Sequence, residues 1–261
     1  MGDYKFDRFY YIEDKSNEHY LSEIEGLSDA ELAKYKGKMY CPLCKGPQLS
    51  FVNASSGSYL RTYPNQLHLE VEGKMCLYEF DTSSKTVMEK YIAELRGKDK
   101  IKSVLEAALR RLFKQDLVEI IVPKGTVKHS DNPLLIERIE SDKTVKKNII
   151  PHYSFKSWGK NIPEDHLLIV YGKVYVELKE VSSMNEGEEK ASRTYIHFKD
   201  MKTKKLITSC LKPKTMEITA GNYCVAVLGK RHSNEKDGYV YNNLWINWPI
   251  EQSIILKPYL E

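Results

Sequence analysis

Cys41, Cys44, His68 and Cys76 are the residues of this chain whose types and spacing could do the most definite chemistry. Two thiols separated by two residues form one edge of a tetrahedral metal site, and a His with a third Cys from further along the chain closes it. The first pair sits in Met39-Tyr40-Cys41-Pro42-Leu43-Cys44-Lys45-Gly46-Pro47, a knuckle in which backbone N–H groups after the turn can donate to sulfur and offset thiolate charge. His68 and Cys76 are single ligands spaced H-x7-C, so they are joined to the knuckle by residue type and not by a pairing motif. The ion expected is a structural Zn2+, because four N/S ligands leave no position for water. The competing reading is a buried strand cysteine at position 76, with Cys41 and Cys44 as free or redox-active thiols.

A second set of residues could bind without chemistry. In the apolar-rich run Leu167 to Lys179, Leu168, Val170, Val174, Val176 and Leu178 share one parity and are expected to face a core. Ile169, Tyr171, Lys173, Tyr175 and Glu177 then face outward. The next run repeats the pattern, with Ile196 and Phe198 inward and Arg193, Tyr195, His197 and Lys199 outward, while Tyr239, Tyr241 and Trp245 share a face further on. Rings flanked by cations suit a single-stranded nucleic acid, whose bases stack for roughly 1–3 kcal/mol each while phosphates meet Lys and Arg. The predicted nucleic-acid-binding residues are therefore Tyr171, Lys173, Tyr175, Arg193, Tyr195, His197 and Lys199. The same face could instead hold a protein partner, or its tyrosines could be cross-strand pairs or lie under helices.

An enzyme reading has one candidate. Glu164-Asp165 followed by Glu177-Leu178-Lys179 has the outline of a PD-(D/E)xK nuclease, in which carboxylates hold Mg2+ and a lysine assists water. Its carboxylates need a hairpin that this run does not offer. No P-loop, G-x-G-x-x-G fingerprint, H-E-x-x-H helix or G-x-S-x-G elbow occurs. His129, His152, His166 and His232 lie among polar residues and are expected at the surface.

The elements that must position these residues follow from periodicity. Ser28 with Glu31 reads as a capping box, and Gly37 ends that helix before the knuckle. Residues 48–52, 59–63 and 67–71 read as strands returning towards the metal. Ile101, Val104, Leu105, Ala108, Leu109, Leu112 and Phe113 form one apolar helical stripe, preceded by a helix over Thr86 to Arg96 that Gly97 caps. Leu117 to Val122 reads as a short strand ended by Pro123, and the charged stretch from there to Pro151 as linker with at most one helical turn. Strands follow over Leu167 to Lys179, Thr194 to Lys199, Lys205 to Cys210, Asn222 to Arg231 and Tyr239 to Asn247.

The predicted class is α+β in three parts. Residues 1–84 form a zinc-binding β-hairpin module, 85–150 a helical connector with one strand, and 151–261 a five-stranded oligonucleotide-binding (OB)-like barrel whose first strand bends at Gly172. At 261 residues and 41 % apolar content, the chain can bury one large core or two ordinary ones. The formal net charge of +4 is unevenly divided: residues 1–84 carry 9 basic and 13 acidic side chains, against 15 and 10 in 85–150 and 16 and 13 in 151–261. An anionic partner should thus meet the central and C-terminal parts. With no run of about 18 apolar residues and no basic-then-apolar leader, a cytoplasmic protein without membrane association is expected. Cys210 and Cys224 are then core thiols.

Two stretches resemble known families. From Tyr40-Cys41-Pro42-Leu43-Cys44 through Leu60-Arg61-Thr62-Tyr63 to His68, the chain resembles the N-terminal zinc module of competence-protein-like bacterial sequences, which implies a metal site there. It departs from them in lacking a His-x-x-His pair, so Cys76 must supply the last ligand. Val170-Tyr171-Gly172-Lys173-Val174 and Val225-Ala226-Val227-Leu228-Gly229-Lys230 resemble the first and fourth strands of nucleic-acid-binding OB domains, which implies that fold.

Overall fold

The structure, a computed structural model, describes residues 5–55, 57–71, 73, 75–113, 132–139, 144–159, 162–182, 192–236 and 239–259. The protein is mixed α+β and mostly strand, with four helices among the described residues. Its contacts divide it into two compact units, one from residues 1–84, 134–151 and 159–162, the other from 85–133, 152–158 and 163–261.

The first unit is built of small sheets. Strands β1 (Arg8–Tyr11), β2 (Asp14–Tyr20) and β3 (Met39–Tyr40) pair antiparallel in the order β2-β1-β3. Between β2 and β3 lie the short helices α1 (Leu21–Ile24) and α2 (Asp29–Leu32). The capping box is present: Ser28 N–H donates to Glu31 Oε2 at 2.9 Å, and Gly37 takes φ 77° where the chain turns towards the knuckle. Strands β4 (Leu49–Ala54) and β5 (Gly57–Thr62) form a hairpin. A third sheet joins β6 (Asp81–Thr82), β7 (Leu135–Ile139) and β8 (Val145–Ile149) in the order β6-β8-β7. This corrects the linker reading of that stretch. Leu135–Ile139 and Val145–Ile149 pair antiparallel, and Ile136 and Ile149 are buried, so apolar residues among many charges were enough to seat a sheet. The strand expected over residues 117–122 lies outside the described residues.

The second unit begins with α3 (Lys85–Gly97) and α4 (Ile101–Leu112), close to their expected spans. Strands β9 (His152–Ser154), β10 (Leu168–Ser182), β11 (Ser192–Lys199), β12 (Leu206–Leu211), β13 (Gly221–Lys236), β14 (Tyr239–Ile246) and β15 (Ile254–Pro258) form one sheet. Its main path is β12-β11-β10-β13-β14, with β15 on β13 and β9 on β10. The sheet curls far enough that β14 lies against β12, where Thr208 Oγ1 donates to the Asn242 carbonyl at 2.9 Å. The enclosed side holds Val170, Val174, Val176, Ile196, Phe198, Val225 and Val227, all fully buried, as the alternation predicts.

The other side of β10 is divided. Its first half is covered too: Ile169, Tyr171, Ala226 and Leu228 are at most 3 % exposed. Helix α4 packs on β13 and β15, and Phe113 just beyond it meets the Tyr171 ring. From Lys173 to Glu177 part-exposed and buried residues alternate, but Leu178, expected to face the core, is part-exposed, and Lys179 to Val181 beyond it are exposed on both sides. An α-carbon substituent at Gly172 would lie 3.2 Å from Phe155, so a bare backbone lets that ring close against the strand.

Candidate metal centre and exterior sheet face

Three pieces of chain bring the four ligands together. Met39–Tyr40 leads into the knuckle, where Cys41 N–H donates to the Pro47 carbonyl and Lys45 N–H to the Cys41 carbonyl, at 2.9 and 3.0 Å. Lys45 takes φ 57°, the left-handed residue that lets the turn fold back on itself. The β4–β5 hairpin then returns the chain to this spot, with Tyr63 N–H on the Gln48 carbonyl at 3.1 Å. Residues 67–70 were expected as strand but run irregularly, and they lay His68 and Leu69 beside Cys44. Cys76 is no strand residue. It sits just before the short 3-10 helix Leu77–Glu79, at its N-cap position.

The Sγ atoms of Cys41, Cys44 and Cys76 and a ring nitrogen of His68 all lie within 4.8 Å of one another. Cys41 Sγ is 3.8 Å from Cys76 Sγ, and Cys44 Sγ is 3.3 Å from His68 Nδ1. Four such atoms around one point can hold a metal ion. Backbone donors surround the sulfurs: Cys44 N–H points to Cys41, Gly46 and Leu69 N–H to Cys44, and Tyr78 N–H to Cys76. Gly46 is needed for this, since a Cβ there would come within 2.7 Å of Leu69 Cγ and 3.1 Å of Leu69 N. Behind the imidazole, Phe6 stacks between His68 and Tyr78, with centroids 6.2 and 4.8 Å away.

The electrostatics follow from three thiols in one small space. Burial pushes the Cys41 thiol far up, and it pushes Cys44 up as well. The hydrogen bond from Cys41, the largest influence on its neighbour, pulls Cys76 down to about 4. The crowded sulfurs compete for protons, and a cation in the centre would take the protons' place and offset the thiolate charge. Cys41 and Cys76 are buried to 0 and 1 % exposure, while Cys44 and His68 form the outer edge.

The predicted binding residues of the second unit separate into two groups. Tyr171 is a correction: it shares the outward parity but is 3 % exposed, T-shaped against Phe113 and tilted on His152, because α4 covers this part of the sheet. His152, expected at the surface, is likewise buried. Lys173 is part-buried, donating to Tyr259 Oη at 3.3 Å and lying 4.5 Å over that ring. The remaining five stay together and accessible. Tyr175 pairs with Lys199, Glu177 with His197, Lys179 with Tyr195 and Val181 with Arg193 across β10 and β11, so all eight side chains share the exterior face.

Two cations of this face escaped the sequence reading. Lys179 has the parity of Tyr175 and was legible; Lys204 comes from the β11–β12 turn and stands 3.7 Å over the Tyr175 ring, a placement no periodicity signals. Lys199 Nζ lies 2.5 Å from Glu177 Oε2 and holds that carboxyl below its usual range. His197 is held below its usual value by partial burial first, and by Lys199 second.

The nuclease carboxylates are not brought together. Asp165 N–H bonds the Arg231 carbonyl near the start of β10, and its carboxylate faces His232 at 3.8 Å. Glu177 lies about 30 Å of extended chain further along an unbroken strand. Among the described residues, no helix is long and apolar enough to cross a membrane. His129 lies outside the described residues. Comparison of the chain with protein families, curated proteins and solved structures finds no match.

Proposed function

We propose that the protein binds single-stranded or irregular nucleic acid on the exterior face of β10 and β11, and that a structural zinc organises its N-terminal unit. The observation that carries the binding reading is the contiguity of Tyr175, Tyr195 and His197 with Lys179, Lys199, Arg193 and Lys204 on one accessible sheet face. Flat rings give sequence-tolerant stacking, and cations at their margins meet phosphates. The strand adjacency supports an OB-like barrel beneath that face: β10 lies between β11 and β13, β12 follows β11, β14 follows β13, and β14 touches β12. The resemblance of Val170–Val174 and Val225–Lys230 to first and fourth OB strands agrees with that order.

Zinc is favoured by the donor set. A tetrahedron with Zn–S bonds of about 2.3 Å has an S···S edge of about 3.8 Å, the separation found between Cys41 and Cys76. Three thiolates and one imidazole select a soft or borderline ion over Mg2+ or Ca2+. With all four positions taken by protein, the ion would hold the knuckle, the His68 segment and the Cys76 turn together. The resemblance to competence-like zinc modules supports the metal and carries no activity with it. A reducing, cytoplasmic compartment suits five cysteines that are all free thiols.

A protein partner is the second reading, favoured by Val181, Leu206 and Leu211, which are 47, 54 and 40 % exposed beside the same rings. Fluorescence anisotropy with single-stranded and duplex oligonucleotides at two salt concentrations separates the two. Tighter binding of single strands that weakens as salt rises supports the nucleic-acid reading. No binding to any oligonucleotide at low salt leaves the protein-partner reading in its place.

A further inference from the structure

In the middle of the exterior face stands one carboxylate among cations. Along the paired stretch of β10 and β11 the exterior residues are Tyr175, Glu177, Lys179, Val181, Arg193, Tyr195, His197 and Lys199, and Glu177 alone is acidic. Its Oε2 sits 2.5 Å from Lys199 Nζ, and it lies directly opposite His197. We infer that Glu177 is a built-in competitor for phosphate, occupying the Lys199 ammonium that a bound strand must engage and thereby setting the selectivity of the face. The inference rests on the nucleic-acid reading above and deepens it.

The physical argument is one of exchange. A phosphate that reaches Lys199 must displace Glu177 from it and then lie beside a carboxylate that stays ionised at neutral pH, since an ordinary glutamate titrates at about 4.3. A ligand offering charge alone therefore gains little at this position. One that also places bases on Tyr175 and Tyr195 recovers the loss through stacking. Lys204 is arranged in the same sense, since it rests on the Tyr175 ring and must leave that face for a base to enter. Glu177 thus disfavours plain polyanions and favours strands with unpaired bases, discriminating by repulsion of the wrong ligand.

The test uses the full chain with Glu177→Gln, which keeps the shape and removes the charge. Glu180→Gln is the control. Glu180 is exposed on the same strand, opposite Thr194, so its loss changes net charge equally without freeing Lys199. With a mixed-sequence single strand, Glu177→Gln should tighten binding about three- to tenfold at low salt and steepen the slope of log K against log salt by about 0.7. Heparin should become a better competitor against the variant than against the parent protein. Glu180→Gln should leave the salt slope unchanged. Unchanged or weaker binding by Glu177→Gln, or an equal gain from Glu180→Gln, overturns the inference while leaving the nucleic-acid reading standing. Parent and variant both failing to bind at low salt overturns that reading and the inference with it.

Discussion

Phe113 and Tyr171 meet ring to ring, with centroids 6.0 Å apart and planes at 76°. Through this contact the end of α4 covers the first half of β10 and leaves only the second half open. Tyr171 is therefore a packing residue and Tyr195, on the same face, is a surface one. Tyr171→Ala should destabilise the second unit by roughly 3 kcal/mol in chemical denaturation. Tyr195→Ala should stay within about 0.5 kcal/mol of the parent protein.

The Cys3His cluster predicts stoichiometric zinc in protein purified without chelator. Structural zinc contributes roughly 10–16 kcal/mol of apparent binding energy in small zinc-finger peptides, so its removal should strongly loosen the first unit. Hydrogen exchange after chelation should show lost protection around Cys41, Cys44, His68 and Cys76, with β10–β13 unchanged. Cys76→Ser should lower metal content. Because thiols must lose their protons to bind, the metal is held above the pH range in which the thiolates reprotonate and released as pH falls through it.

Gly46 is a sharper probe of the same centre than any ligand. Its Cβ in Gly46→Ala would press on Leu69 and disturb the N–H that Leu69 gives to Cys44. Zinc affinity measured by chelator competition should fall about 10- to 100-fold, the usual effect of losing an outer-shell partner. Affinity equal to that of the parent protein would show that the Leu69 segment does not support the site.

Incubation with DNA or RNA and Mg2+ or Mn2+ should leave both intact, because Asp165 sits in the turn before β10 and Glu177 far along that unbroken strand. Cleavage that disappears in Asp165→Ala with folding preserved would overturn this placement.

The knuckle was legible in the sequence because Cys41-Pro42-Leu43-Cys44 encodes its own local turn. The approach of His68 and Cys76 was legible only as residue type. Their segments are irregular chain and the N-cap of a short 3-10 helix, held by Phe6 stacking and N–H···S bonds that no periodicity records. In the second unit, alternation identified which β10 residues share a face, and the stripe from Ile101 to Phe113 identified a helix that must bury one side. Neither pattern says that the stripe docks on Tyr171. That is a tertiary choice, and it buries Tyr171 while Tyr259 covers Lys173, leaving five of the seven predicted binding residues open. Leu135–Ile139 and Val145–Ile149 were missed because Lys and Glu on the exposed side of a two-sided strand look like linker until the pairing is known.

The most direct measurement of the central claim is the affinity of Tyr195→Ala for a single-stranded oligonucleotide at low salt, set beside Tyr171→Phe as a buried control. The account predicts a loss of roughly 1–3 kcal/mol for Tyr195→Ala, the value of one stacked base, with Tyr171→Phe unchanged. Equal affinities for Tyr195→Ala and the parent protein would contradict it, as would a larger loss from the buried substitution.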